Sequence, residues 1–262
     1  MTGAGAGNGL LELQGVSLSF GGLRVVDRLD LHVDEGEIVS VIGPNGAGKT
    51  TLFNCLSRLY TPTEGEIRFA GRRLLDMAVH ETAEAGIGRT FQNVALFDTL
   101  TVGENIMLGG HSTTRAGFLA NALDTARVRK QEARLRSRAS ELAIFVGLKG
   151  TTDALVADLP FGIRKRVELA RALMAQPKLL LLDEPAAGLN HEELAGLQQQ
   201  IRRIRDELGV SVLLVEHHMG MVMSLSDHVV ALDFGKKIAE GTPAQVQADP
   251  AVIDAYLGTS LE

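Results

Sequence analysis

Residues 43 to 51 read Gly43-Pro44-Asn45-Gly46-Ala47-Gly48-Lys49-Thr50-Thr51. This spacing of glycines, lysine and hydroxyl is that of a loop wrapped around a phosphate chain. Backbone N–H groups must converge on phosphate oxygens, and side chains would obstruct them, so the chemistry demands glycine. A helix starting at the loop adds the partial positive charge of its N-terminus. Lys49 has the reach for β- and γ-phosphates, and the Thr50 hydroxyl is placed to ligate Mg²⁺. Such a loop needs a second acid at the end of a neighbouring strand. Leu179-Leu180-Leu181-Leu182-Asp183-Glu184 supplies it. Asp183 is the candidate metal ligand, and Glu184 the candidate general base that polarises an attacking water.

Other residues are ambiguous on their own pattern. His217 ends an apolar run, where a lone histidine reads as a structural hydrogen bonder. His218 beside it is expected on the opposite face of the strand, so the two make a poor metal pair. Phe20 reads as a strand-end aromatic of the core. Cys55 is the single cysteine, unable to form an internal disulfide, and reads as a small buried residue in a reducing compartment. The basic run 127–138 reads as a solvated helix face, with contact to anionic headgroups as the functional alternative.

The elements that position these residues follow from hydropathy. Ile38–Ile42 is a β-branched run short enough for a buried strand, and the helical stretch Thr50–Leu59 follows the loop. Leu11–Phe20 alternates as a strand broken by a turn at Gln14-Gly15, and Gly21-Gly22 makes a second turn. Ile67 and Phe69 mark a short strand. From about Val102 to Met174 the pattern is helical. Strands return at Leu179–Leu182, Val210–Val215 and Val229–Leu232, with a helix between the first two whose stripe is Leu194, Leu197, Ile201, Ile204 and Leu208. Asp249-Pro250 starts a last helix. Strand–helix alternation on both sides of a helical middle implies an α/β core with an inserted helical subdomain.

The whole chain has 262 residues, a formal charge of −6, 29 glycines, nine Phe, two Tyr and no Trp. The core must therefore be aliphatic. The mild negative charge argues against a nucleic-acid binder. The N-terminus lacks the features of a signal peptide, and no apolar run approaches the ~20 residues that cross a bilayer. The expectation is a cytoplasmic chain that other subunits anchor if it works at a membrane.

Together the phosphate loop, the Leu179–Glu184 strand, Gln92 and His217 resemble the ATP-binding subunit of an ABC transporter, from about Leu11 to Leu257. The resemblance implies an α/β, P-loop NTPase core of ABC type with an antiparallel β subdomain and an inserted α-helical subdomain. It implies a flexible tail (1–9) and one ATPase domain (10–262), with core 10–91 and 176–262 and helical subdomain about 92–175. ATP and Mg²⁺ are the implied cofactors. The phosphate-binding residues are then Asn45, Gly46, Ala47, Gly48, Lys49, Thr50 and Thr51. Gln92, in Thr90-Phe91-Gln92-Asn93, would touch Mg²⁺ or water and sense the permease. Phe20 would stack on adenine, and His217 would contact the γ-phosphate and hold the geometry of water and Glu184. Pro185–Asn190, the long insert at about 98–158 and the tail Gly241–Gly258 are similar to the branched-chain amino acid uptake group. Implied partners are a second ATPase subunit, integral membrane permease subunits and an extracytoplasmic solute-binding protein, with the chain peripheral on the inner face of the membrane.

One segment departs from the family. Its Leu-Ser-Gly-Gly-Gln signature is replaced by Leu159-Pro160-Phe161-Gly162-Ile163. In the family this segment binds the ATP held by the opposite subunit. Gly162 keeps its backbone donor for that role in trans, whereas Pro160 has neither hydroxyl nor N–H. The expectation is an ATP-hydrolysing importer motor. Its alternatives are a non-transport ABC-type ATPase, or one half of an asymmetric dimer with weak turnover at one site.

Overall fold

A computed structural model describes residues 9–90, 95–110 and 126–258. The four-leucine run forms strand β7 (Leu179–Asp183), buried at every position. Leu179 and Leu181 join one apolar cluster, and Leu180 and Leu182 join another. Successive strand side chains face opposite sides, so an unbroken apolar run marks a strand covered on both. Strands β3 (Ile38–Ile42) and β8 (Ser211–Val215) divide the same way: Val39, Val41, Leu213 and Val215 on one face, Ile38, Val212 and Leu214 on the other. With β6 (Ile87–Arg89), β9 (His228–Asp233) and β10 (Lys236–Gly241) they form a six-stranded sheet ordered β10-β9-β3-β8-β7-β6. Its pairs are parallel except β9 with β10.

A four-stranded antiparallel sheet, β2-β1-β4-β5, covers one face. It comprises β1 (Gly9–Phe20), β2 (Leu23–Asp34), β4 (Glu64–Phe69) and β5 (Arg72–Arg73). The described helices are α1 (Lys49–Leu56), α2 (Val79–Ala85), α3 (Val102–Leu108), α4 (Ala126–Phe145), α5 (Phe161–Met174), α6 (His191–Leu208), α7 (Met219–Leu225), α8 (Pro243–Gln247) and α9 (Pro250–Gly258). Helix α1 lies within the layer between the sheets, where Leu52, Phe53, Cys55 and Leu56 pack with Leu11, Leu29, Ile67 and Phe69. The opposite face carries α3, α4, α5 and α6 through Ile106, Leu142, Val167, Leu173, Ile201 and Ile204. The expected stripe on α6 is intact, with Leu194, Leu197 and Leu208 packed at the rim of that cluster. Burial of each such side chain stabilises the fold by ~1.5–3 kcal/mol.

Several expectations need correction. Gly9 pairs with Asp34, so the expected tail 1–9 does not reach it; residues 1–8 lie outside the described residues. Strand β1 is continuous through Gln14-Gly15: the chain bulges there, with Gly15 at φ 59 and its N–H donating to Asp30 Oδ1. A bulge absorbs one extra residue without ending the pairing. Helix α1 stops at Leu56 because Arg58 takes φ 60 and the Leu59 and Tyr60 amides fold back to the Asn54 carbonyl. The Asp249-Pro250 start is present, Asp249 Oδ1 accepting from the Ala251 amide at 2.8 Å. No described helix is long and apolar enough to cross a membrane.

Candidate functional site

Strands β3, β8 and β7 are neighbours and parallel, so their C-terminal ends lie in a row. These ends lead into the phosphate loop, Glu216-His217 and Glu184 respectively, Asp183 being the last residue of β7. In open parallel sheets ligands bind outside these ends. Gly43 and Gly48 take φ 149 and 95. A Cβ on Gly43 would sit 2.1 Å from the Leu232 carbonyl oxygen, and one on Gly48 2.6 Å from that of Val25. Only glycine fits either place. Asn45, Gly46 and Thr50 are exposed and Thr51 half-buried, whereas Ala47, Gly48 and Lys49 are buried. Helix α1 starts without a side-chain cap, which leaves its first amides suited to an anion.

Lys49 Nζ donates to the carbonyls of Gly43 at 2.6 Å and Pro44 at 2.9 Å. Burial pulls its pKa below the usual lysine value, against the opposing pull of Glu184 and Asp183. Asp183 is 3% exposed and accepts from Arg89 Nη2 through Oδ2 at 3.1 Å. Its other oxygen, Oδ1, is buried with no hydrogen-bond partner. Burial raises this carboxyl above its usual pKa, with Arg89 pulling the other way. An orphaned carboxylate oxygen and the Thr50 hydroxyl are hard donors that fit Mg²⁺, which binds through few protein oxygens plus substrate phosphates. Among the described residues no cluster of three or more His, Cys, Asp or Glu could hold a metal alone.

Glu184 takes φ 46, and its N–H donates to the Val215 carbonyl at 2.9 Å. A left-handed non-glycine residue stores of the order of 1–3 kcal/mol, here at the proposed base. His217 Nδ1 lies 4.0 Å from Glu184 Oε2 and 3.9 Å from Glu216 Oε2. Glu216 is fully buried; its Oε2 accepts from the His217 and His218 amides and its Oε1 from the Ala186 amide. One carboxylate thus fixes the chain after β8 to the chain after β7. Lys165 Nζ donates to the Glu184 and Pro185 carbonyls at 3.3 and 2.9 Å. Strand β8 ends at Val215, so His218 does not sit on a strand face as expected; it caps α7, its Nδ1 accepting from the Met221 amide.

Phe20 is 46% exposed and meets Tyr60 edge-on, ring centroids 5.2 Å apart. It is therefore outside the core and free to present its face. Gly162 lies in the first turn of α5, whose N-cap is Pro160 with no side-chain bond. A Cβ on Gly162 would come 2.3 Å from Glu193 Oε1. The Phe161 ring, 47% exposed, lies against Gly188, with Lys165 Nζ 5.3 Å from its centroid. Gln92 lies outside the described residues. Arg89, Glu216, Lys165 and Tyr60 were missed from sequence. A charge at the end of an apolar strand was the available signal for the first two.

The family model described as ABC transporter matches residues 26–187, and that described as Branched-chain amino acid ATP-binding cassette transporter matches 236–262. The chain is 43% identical over 249 residues to the high-affinity branched-chain amino acid transport ATP-binding protein BraF of Pseudomonas aeruginosa, covering 95% of this chain and 98% of that one. It is 40% identical, over the same shares, to LivG of Escherichia coli, which carries the same description. Among solved structures, the ADP conformation of an ATP-binding cassette of an ABC transporter superposes with TM-score 0.83 at 28% identity, covering 95% and 99% of the two chains. A dimeric post-hydrolysis cassette bound to ADP and Pi gives 0.75 at 26%, covering 89% and 98%.

Proposed function

The chain belongs to the ATP-binding subunits of ABC transporters, and from that premise we propose that it is the ATP-hydrolysing motor of an importer for branched-chain or other amino acids. Its fold is the P-loop NTPase core of ABC type, with the antiparallel sheet and the helical insertion described above. In this reading the ATPase is one domain, 10–262, whose helical part spans about 92–175.

The observation that carries the mechanism is the row of three strand ends, which gathers Lys49, Asp183, Glu184 and His217. The phosphates of ATP lie along Asn45–Thr51, taking the loop amides as donors. Lys49 exchanges the Gly43 and Pro44 carbonyls for β- and γ-phosphate oxygens. Phe20, with Tyr60 against its ring, stacks on the adenine. Thr50, Asp183 and Gln92 would hold Mg²⁺, which would offset phosphate charge. Glu184 accepts the proton of the water that attacks the γ-phosphorus as the bond to the β–γ bridging oxygen breaks, releasing ADP and phosphate. His217 faces the γ-phosphate and keeps Glu184 and the water aligned. Glu216 holds the His217 and Ala186 amides, so the two loops keep their spacing during turnover.

ABC ATPase subunits work as dimers on membrane permeases, and we assign Gly162 to the ATP of the opposite subunit. The groove of about 530 Å³ that includes Ala83, Ile87, Phe97, Leu108 and Gly109 is the candidate surface for the permease. A solute-binding protein outside the membrane completes the assembly, with this chain on the inner face. Pro160 favours asymmetry: the site this subunit completes on its partner lacks a hydroxyl donor, and losing a donor to a charged acceptor costs ~1.5–3 kcal/mol. The test is Glu184→Gln in the assembled complex. ATP binding is retained, while hydrolysis and uptake of branched-chain amino acids into vesicles fall at least about 100-fold. Unchanged hydrolysis would refute the role of Glu184; hydrolysis by a homodimer as fast as by the complex would refute the asymmetry.

A further inference from the structure

The segment after β10 takes no part in the chemistry above, yet it reaches the phosphate loop. The Gly43 amide donates to the Tyr256 hydroxyl of α9 at 2.9 Å. Gly43 is where β3 turns into the loop, and it is confined on every side. Its carbonyl accepts from Lys49 Nζ at 2.6 Å, and its α-carbon abuts the Leu232 carbonyl so closely that no Cβ fits. Tyr256 therefore takes the polar atom that Lys49 and Leu232 leave over. Its ring packs in the cluster formed by Ile42, the residue before Gly43, with Val222, Val252, Met219 and Met223. Ile42 belongs to β3, and Val222, Met219 and Met223 to α7, which begins directly after His217-His218. Burial raises the Tyr256 phenol above its usual pKa, so the hydroxyl stays neutral and its oxygen accepts. The residue lies in the segment 236–262 matched by the branched-chain transporter model.

We infer that Tyr256 is a positioning residue for the phosphate loop: α9 braces the loop through the Gly43 amide, and nucleotide affinity depends on that brace. The inference rests on the reading of residues 43–51 as the phosphate loop. A loop fixed at its first residue already has the form that phosphates bind. If the fraction of molecules in that form falls, the apparent Kd rises in proportion. The coupling is reciprocal, so bound nucleotide must tighten α9 by the same factor.

The test uses the purified full chain, with ADP and ATP binding measured by titration and backbone hydrogen exchange followed by mass spectrometry. Tyr256→Phe removes the hydroxyl and keeps the ring in its cluster. A buried donor left without its acceptor is expected to weaken nucleotide binding about five- to tenfold, with faster exchange in the peptide containing Gly43. In the unmodified chain ADP slows exchange in the 250–258 peptide, and in Tyr256→Phe that protection is lost. A lower thermal midpoint with unchanged Kd would mean that Tyr256 only supports the fold, and would overturn the inference. So would an unmodified chain in which ADP leaves 250–258 unaffected, which needs no variant to fold. An unmodified chain that binds no nucleotide at all would instead sink the phosphate-loop reading, and the brace with it.

Discussion

Arg89 and Asp183 form an ion pair with Nη2 and Oδ2 3.1 Å apart and side chains only 9% and 3% exposed. Arg89 Nη1 also donates to the Phe53 carbonyl, Asn54 Oδ1 and Ser57 Oγ at the end of α1. One guanidinium thus ties the acid that ends β7 to the helix that carries Lys49 and Thr50. Removing one partner of such a pair strands a buried charge, at ~3–5 kcal/mol. Arg89→Met is expected to lose about that much stability in urea unfolding, and to need more Mg²⁺ for half-maximal nucleotide binding. Arg89→Lys should recover only part of both, since an ammonium cannot span carboxylate and helix end as the planar fork does. Wild-type stability in Arg89→Met would show that the pair is not structural.

Glu216 offers a different kind of test, because its carboxylate accepts from three amides of the two loops that bear Glu184 and His217. Glutamine keeps the shape but points N–H donors at N–H donors. Glu216→Gln is expected to destabilise by about 2 kcal/mol. ATPase activity of the assembled complex should fall about tenfold to a hundredfold, as small misplacements of reacting groups do. Nucleotide Kd should change little, because the amides that Glu216 holds belong to neither the phosphate loop nor Lys49. Equal losses in Kd and turnover would contradict this assignment.

What was legible in the sequence divides along physical lines. Runs buried on both faces, such as Ile38–Ile42 and Leu179–Leu182, announce themselves by composition, and the phosphate loop by its glycines. Strand β2 alternates only over Leu29, Leu31 and Val33; Val26 falls out of step where the register with β1 shifts between Val16 and Leu18, which hides the period in the sequence. Strand β6 is too short to show a period, and β10 lies at an edge where exposed lysines dilute the pattern. Of the expected site residues, the structure gathers those at the ends of β3, β7 and β8, because adjacency of parallel strands does the gathering. Arg89, Glu216 and Tyr256 act through contacts across the fold, which spacing along a chain cannot reveal.

The strain at Glu184 predicts a trade of stability against turnover. At φ 46 a glycine avoids the clash that a Cβ suffers, worth roughly 1–2 kcal/mol. The substitution also removes an anion close to buried Asp183, whose pKa Glu184 helps to raise. Glu184→Gly is therefore expected to raise the thermal midpoint by about 2–4 °C while abolishing hydrolysis. Glu184→Gln keeps the Cβ and should leave the midpoint nearer that of the wild type. Calorimetry on the two variants separates backbone strain from charge.

Cys55 provides a pH signature of the core around α1. Its side chain is fully buried, and burial pushes the thiol up to about 11 from 9.0. Below pH 9 the thiol is neutral in folded and unfolded chain alike, and it costs nothing. Between pH 9 and 11 the unfolded chain gains by ionising and the folded chain does not, so stability falls as pH rises through this window. At about 1.4 kcal/mol per pH unit the loss reaches about 2–3 kcal/mol. Cys55→Ala should be less stable at neutral pH, from the small cavity, yet lose less between pH 9 and 11, since the other titrating groups are common to both chains. Urea unfolding of the two proteins across that range measures the difference directly, and parallel curves would place the thiol in contact with solvent. Maleimide labelling gives a second readout, slow in the native chain and limited by unfolding of the layer between the sheets.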